Sequence, residues 1–290
     1  MHGVLVIDKP AGLTSAGAVE KVRRALRLDR AGHGGTLDPI ATGVLPVCVG
    51  AGTKLAQFLL ADDKAYEAEA VLGVETDTLD RTGSVVAERA VDVTRDQMLA
   101  ALAAHRGEQT QIPPMYSAIK QGGVRLYDRA RAGEEVERAP RPVRIDRLEL
   151  LAFEPPRFRI AVACSKGTYI RSLVADLGRA VAAGAHLAEL RRTRSGRFTI
   201  EQAVGLDRLH EATLIGPEAA TGLAWVTVPS ALVPRVLGGV QLPVAAFSAE
   251  GLEQFQLVDE SGTLLAVAHP EAGRTVYDRV FPELHREPHR

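Results

Sequence analysis

The stretch Gly32-His33-Gly34-Gly35-Thr36-Leu37-Asp38-Pro39-Ile40-Ala41-Thr42-Gly43-Val44-Leu45 reads as a glycine-lined loop running into an apolar strand at residues 44–49. Asp38 precedes Pro39, and the residue before a proline is pushed from helical geometry toward extended backbone. Its carboxylate is therefore presented from a loop. Gly32, Gly34, Gly35 and Gly43 remove Cβ atoms, so backbone can approach a large ligand closely. The strand that follows anchors the loop to the core, as a site of fixed geometry requires. An isolated Asp-Pro more often makes a turn than a site, so the rest of the chain must decide.

Outward from that loop, residues 3–7 form an apolar strand that ends at the turn Lys9-Pro10-Ala11-Gly12. Ser15 is placed to cap a helix running to about residue 28, with Val19, Val22 and Leu26 as its apolar stripe. Thr53 can cap a short helix to residue 60, residues 66–72 alternate as a strand, and Thr94 begins a helix carrying Met98, Leu99 and Leu102. Residues 106–142 are broken by Pro113-Pro114, Gly122-Gly123 and Gly133 and rich in basic side chains, which reads as an excursion from the core. Strands at 143–153 and 157–164, a helix at 168–183 and a basic strand or loop at 190–200 follow. Beyond Trp225 the pattern is short strands and turns, with a hairpin expected at residues 259–262. Strands outnumber helices. The expectation is an α+β fold with a mixed, mainly antiparallel β-sheet flanked by helices over residues 1–232, and a small β-rich domain over 233–290.

A length of 290 residues and an ordinary apolar fraction allow a substantial core. The net charge is −1, yet arginines cluster at Arg23, Arg24, Arg27 and Arg30, at Arg138, Arg141, Arg144 and Arg147, and at Arg191, Arg192, Arg194 and Arg197. A protein that binds nucleic acid needs a local basic face rather than a basic total. Residues 50–54 lack the order of a phosphate loop, and paired Cys/His metal spacing and HExxH are absent from the sequence. Cys48 and Cys164 sit in apolar runs, the usual place for inert thiols. With no signal-peptide pattern and no apolar run of membrane-spanning length, the sequence reads as cytoplasmic.

The opening stretch strongly resembles the catalytic motif of the TruB family of tRNA pseudouridine synthases. Further stretches match that family in order: GVLVIDKPAG at 3–12, YEAEAVLGVETDTLDRTG at 66–83, PPMYSAIKQGGVRLYDRAR at 113–131, and CSKGTYIRSLVADLG at 164–178 leading into HLAELRRT at 186–193. The resemblance covers about residues 1 to 230. One departure is Gly34, where many relatives carry a bulkier residue and where glycine should loosen the loop. Past Val233 the match is weak, and a small β domain there would fit the PUA RNA-binding module.

The resemblance implies a catalytic core that isomerises uridine 55 in the T arm of tRNA to pseudouridine, with the base flipped out to reach Asp38. Cofactor and metal are not called for, because the change is redox-neutral and needs no group donor. It further implies Arg171 as the ionic partner of Asp38, Tyr66 against the target base, Leu190 on its other side, Lys9 as support, His33 as a prop for the vacated space, and Tyr169 at the same surface. Phosphate contacts are expected from Arg141, Arg144, Arg191, Arg192 and Lys166, with residues 106–142 as an RNA clasp. The expected form is a monomer with tRNA as its partner and no obligatory protein partner. A guide-RNA-dependent synthase and a tRNA-folding chaperone are the alternatives. Whether Asp38 attacks C1′, adds to the base or takes a sugar proton stays open.

Overall fold

The computed structural model describes residues 1–285 apart from 118–119, 123, 126–128, 130–133 and 135. The strands are β1 (Gly3–Lys9), β2 (Ala31–His33), β3 (Thr42–Val49), β4 (Lys64–Leu72), β5 (Val74–Thr76), β6 (Val85–Glu88), β7 (Gly107–Gln111), β8 (Lys120–Gln121) and β9 (Val124–Arg125). They continue as β10 (Arg141–Glu154), β11 (Arg157–Cys164), β12 (Ala185–Ser195), β13 (Phe198–Thr199), β14 (Val204–Gly205), β15 (Ala224–Thr227), β16 (Phe255–Val258), β17 (Leu264–Glu271) and β18 (Arg274–Val280). The helices used below are α1 (Ser15–Ala25), α2 (Ala56–Leu60), α3 (Arg95–Ala104) and α4 (Ile170–Ala180).

The main sheet runs β14-β1-β3-β12-β4-β11-β10-β7, with β2 beside β3 and β13 beside β12. Pairing is antiparallel except between β1 and β14 and between β12 and β3. This is the mixed, mainly antiparallel α+β core expected. β3 explains itself through strand alternation: Leu45, Val47 and Val49 join the core beneath α1 and α4, while Val44 and Cys48 join a second core shared with Leu264, Val267 and Phe281. Both faces are buried, so the strand reads as an unbroken apolar run. In β4 only one face is covered. Ala68, Ala70 and Leu72 face the helices, while Glu67 and Glu69 stand on the other side.

Several element ends differ from expectation. Thr14, not Ser15, caps α1 by accepting from Gly17 N at 3.0 Å, and the helix ends at Ala25 because Arg27 turns into left-handed backbone (φ 51°). Residues 50–55 form a 3₁₀ turn before α2, without a Thr53 cap. Thr94 does cap α3, through a reciprocal pairing with Gln97. The expected excursion from 106 to 142 begins and ends inside the main sheet, since β7 pairs with Arg141–Ile145 of β10. Part of the clasp, and part of the 113–131 motif, lies outside the described residues.

The C-terminal sheet runs β15-β16-β17-β18 over its own apolar core of Val226, Phe247, Phe255 and Leu257. The break expected at Val233 falls inside this unit, because β15 already pairs with β16 in parallel. A short apolar strand far from its partner in sequence carries no local signal of where it docks. The hairpin turn forms as expected, with Asp259 accepting from Ser261 N and Thr263 N.

Candidate active site

The loop at residues 34–41 is held by its backbone. Gly34 N donates to Pro46 O at 2.9 Å, Gly12 N to Pro39 O at 2.8 Å and Ala41 N to Asp38 O at 3.0 Å. Buried Ser15 grips Leu37 from both sides, accepting from its N–H at 2.8 Å and donating to its carbonyl at 3.1 Å. Having lost the capping role, Ser15 pins the residue just before Asp38. Gly43 is required by space: a Cβ there would stand 2.2 Å from the Arg192 carbonyl, and its φ of +101° disfavours a side chain. Gly34 does not loosen the loop. It is buried, and a Cβ there would meet Leu59 Cβ at 2.8 Å, so the bulk of Leu59 from α2 occupies that space.

Asp38 Oδ2 lies 2.9 Å from Arg171 Nε, with the Asp38 side chain 34% exposed and that of Arg171 only 4%. Arg171 comes from the first turn of α4, and its other nitrogens donate to Thr78 O at 3.0 Å and Tyr116 O at 2.9 Å. Asp80 stands 3.7 Å from it and is itself fixed by Thr78 Oγ1 and Thr82 N, both at 2.9 Å. Burial raises the Asp38 carboxyl above the ordinary carboxylate range; Arg171 and Lys9 pull against this and Asp80 adds to it. The site therefore holds a carboxylate open to a ligand on one side and charge-paired on the other.

Lys9 is fully buried and donates to Pro10 O at 2.8 Å and Leu13 O at 2.7 Å, bracing the turn that bonds Pro39. Burial lowers its ammonium to about 8, with Asp38 opposing that shift. Tyr66 is half-buried at the edge of the core, and burial raises its phenol. Leu190 is buried on the same face: it pairs with Ala68 while Arg192 pairs with Tyr66. His33, at the end of β2, is half-buried, and burial and Arg192 lower its imidazole, which favours the neutral ring. Tyr169 precedes α4, its backbone tied to Gln111 in both directions, at 2.8 and 3.1 Å.

Among the expected phosphate contacts, Arg141 and Lys166 are exposed. Arg144 is exposed but paired with Asp146 and Asp63, and Arg191 is paired with Asp8 at 2.8 Å. Arg192 is a correction. It is 1% exposed and donates to Val44 O, Thr36 O and Gly35 O, so it faces the loop and not solvent. Strand alternation separates it from Arg191: consecutive residues of β12 point to opposite faces. A cleft of about 420 Å³ opens beside the loop, lined in part by Ile40, Thr42, Leu190, Arg159 and Arg191.

Sequence reasoning missed Asp80, Ser15, Gln111 and Asp8. Only Asp80 had a local signal, since an Asp with a threonine two residues on forms an Asx turn. The others act across 22 residues or more of sequence. Among the described residues no cluster of His, Cys, Asp or Glu could hold a metal, and no helix is long and apolar enough to cross a membrane.

A family model described as TruB family pseudouridylate synthase (N terminal domain) matches residues 23–170, and one described as tRNA pseudouridylate synthase B C-terminal domain matches 171–229. A relative named tRNA pseudouridine synthase B from Stutzerimonas stutzeri is 56% identical over 209 residues, covering 72% of this chain and 68% of its own. Its namesake from Pseudomonas syringae is 50% identical over 248 residues, covering 86% and 79%. Of solved structures, a Cbf5-Nop10-Gar1 complex superposes with TM-score 0.75 at 28% identity, covering 97% of this chain and 85% of that one. An H/ACA RNP bound to a substrate RNA containing 2′-deoxyuridine gives 0.73 at 26% identity, with coverage of 97% and 85%.

Proposed function

Because the chain belongs to the TruB family of pseudouridylate synthases, we propose that it converts uridine 55 in the T arm of tRNA to pseudouridine, with Asp38 as the catalytic carboxylate. The N1–C1′ bond breaks with its electron pair on N1, the uracil turns, C5 bonds to C1′, the C5 proton leaves and N1 takes up a proton, so atoms and electrons balance without a donor. Positive charge develops at C1′ as the first bond opens, and a carboxylate beside it can stabilise that charge or bond to it. The observation that carries this reading is the Asp38–Arg171 pair: a part-open carboxylate, charge-paired at 2.9 Å by a buried guanidinium.

The base must leave the tRNA stack to reach Asp38. Tyr66 and Leu190 on one sheet face then flank it, Tyr169 borders the site and neutral His33 props the emptied space. Arg141, Lys166, Arg144 and Arg191 contact phosphate, the last two by exchanging carboxylate partners for it; such contacts set affinity and register rather than base choice. Residues 106–142 clasp the T arm, residues from about 224 onward add RNA contact as a PUA-like unit, and the reaction needs neither metal nor cofactor. The enzyme works alone, as a cytoplasmic monomer. Identity of 50–56% to proteins named for tRNA, against 26–28% to proteins solved with partners, supports the stand-alone form over the guide-dependent one.

Release of tritium from a C5-labelled uridine reads the reaction directly. A T-arm stem-loop is expected to react and free uridine is not. Asp38→Asn is expected to bind the stem-loop without releasing tritium; release by that variant would remove Asp38 from the mechanism.

A further inference from the structure

We propose that Arg192 is the positioning residue that sets the geometry of Asp38 and Tyr66 together, a role that rests on Asp38 being the reacting carboxylate. The guanidinium reaches the catalytic loop on both sides of Asp38: Nη2 donates to Gly35 O at 3.3 Å, Nη1 to Thr36 O at 3.2 Å, and Nε to Val44 O at 2.7 Å. Its backbone reaches the loop too, as the parallel partner of Gly43, where only a glycine leaves room. On the other edge of the same strand, Arg192 is the direct cross-strand partner of Tyr66. One residue thus spans the sheet between the loop that carries the carboxylate and the strand that carries the aromatic.

The chemistry of its surroundings argues against a purely structural role. Arg192 is 1% exposed, and among the described residues no carboxylate lies within ion-pair distance of it. A buried cation whose partners are neutral carbonyls and the Tyr66 phenol is costly, and a core can usually be packed as well without it. What a neutral residue would not supply here is positive potential beside Tyr66 and a planar fork that fixes carbonyls at two ends of one loop. Arg192 also favours ionisation of the Tyr66 phenol, against the larger opposing effect of burial. That charge is placed to steady an electron-rich uracil as its bond to C1′ opens, and the fork keeps Asp38 from drifting away from C1′.

The test uses the full chain with Arg192→Gln and Arg192→Lys, measuring thermal unfolding, T-arm stem-loop binding, and single-turnover pseudouridine formation at saturating enzyme. Arg192→Gln is expected to slow the single-turnover rate about 100-fold, as a small misplacement of reacting groups does, with binding essentially unchanged. Arg192→Lys, which keeps the charge and loses the fork, is expected to recover the rate only in part. An unchanged rate in Arg192→Gln overturns the proposal. So does a loss of binding with a normal rate at saturation, which would make Arg192 a phosphate contact. Unfolding of both variants would mark a structural arginine and would equally overturn it. Asp38→Asn in the same assay separates the two readings: if it turns over, the role of Asp38 fails whatever Arg192 does.

Discussion

Arg171 Nε sits 2.9 Å from Asp38 Oδ2 while its remaining nitrogens are committed to the carbonyls of Thr78 and Tyr116. The guanidinium is thereby fixed before any ligand arrives, and the carboxylate is oriented by a group that cannot swing away. A fork with donors in one plane makes this possible, and an ammonium on a flexible stem does not.

Arg171→Lys is therefore expected to lower turnover by about 100-fold or more, since the lysine cannot serve Asp38, Thr78 and Tyr116 at once. Stem-loop binding should change far less. Single-turnover kinetics set beside a binding isotherm would check this, and a loss confined to binding would contradict it.

The rate should also carry a displaced acid limb. Asp38 must be ionised to act, and burial raises its carboxyl, so activity is lost as pH falls through a value above the ordinary carboxylate range. Asp80→Asn removes a like charge and should move that limb to lower pH; Arg171→Met removes the opposite charge and should move it higher. Rate–pH profiles of the three proteins decide. A limb unmoved by Arg171→Met would mean that another group controls it.

Gly34 and Leu59 should behave as a coupled pair. A methyl at Gly34 would meet Leu59 Cβ at 2.8 Å and Cδ1 at 2.9 Å. Gly34→Ala is expected to cost about 1–3 kcal/mol by overpacking, and Leu59→Ala about 2–5 kcal/mol by leaving a cavity. The double variant should lose less than the sum, because Leu59→Ala removes the Cγ and Cδ1 atoms that crowd the added methyl while Cβ stays. Chemical denaturation of the four proteins measures the coupling, and simple additivity would refute it.

Lys9 predicts a rise in stability in mildly alkaline solution. Its folded value is about 8, below the unfolded lysine value of 10.5. Between those two values the unfolded chain binds more protons than the folded one, so stability increases as pH rises through that window. Lys64, also buried and lowered to about 8, acts in the same direction. Lys9→Met should flatten the slope of unfolding free energy against pH in this window. An unaltered slope would show that Lys9 is not strained by burial.

The sequence by itself determined a good deal. The ordered motifs marked the loop around Asp38 and the family, and the apolar runs of β1 and β3 and the alternating run of β11 announced strands because burial on two faces or on one is written locally. Tertiary structure decided what the motifs could not state. The tandem Arg191-Arg192 looks like one basic patch in a linear chain, yet β12 sends Arg191 toward Asp8 and buries Arg192 against the loop that carries Asp38. Ser15 looks like a helix cap, yet Thr14 caps and Ser15 reaches Leu37. Gly34 looks like slack, until Leu59 is found occupying the space. Each depends on a contact between residues far apart in the chain. Local residue type sets which bonds a side chain can make, and only the packing of distant segments sets which partner is within reach.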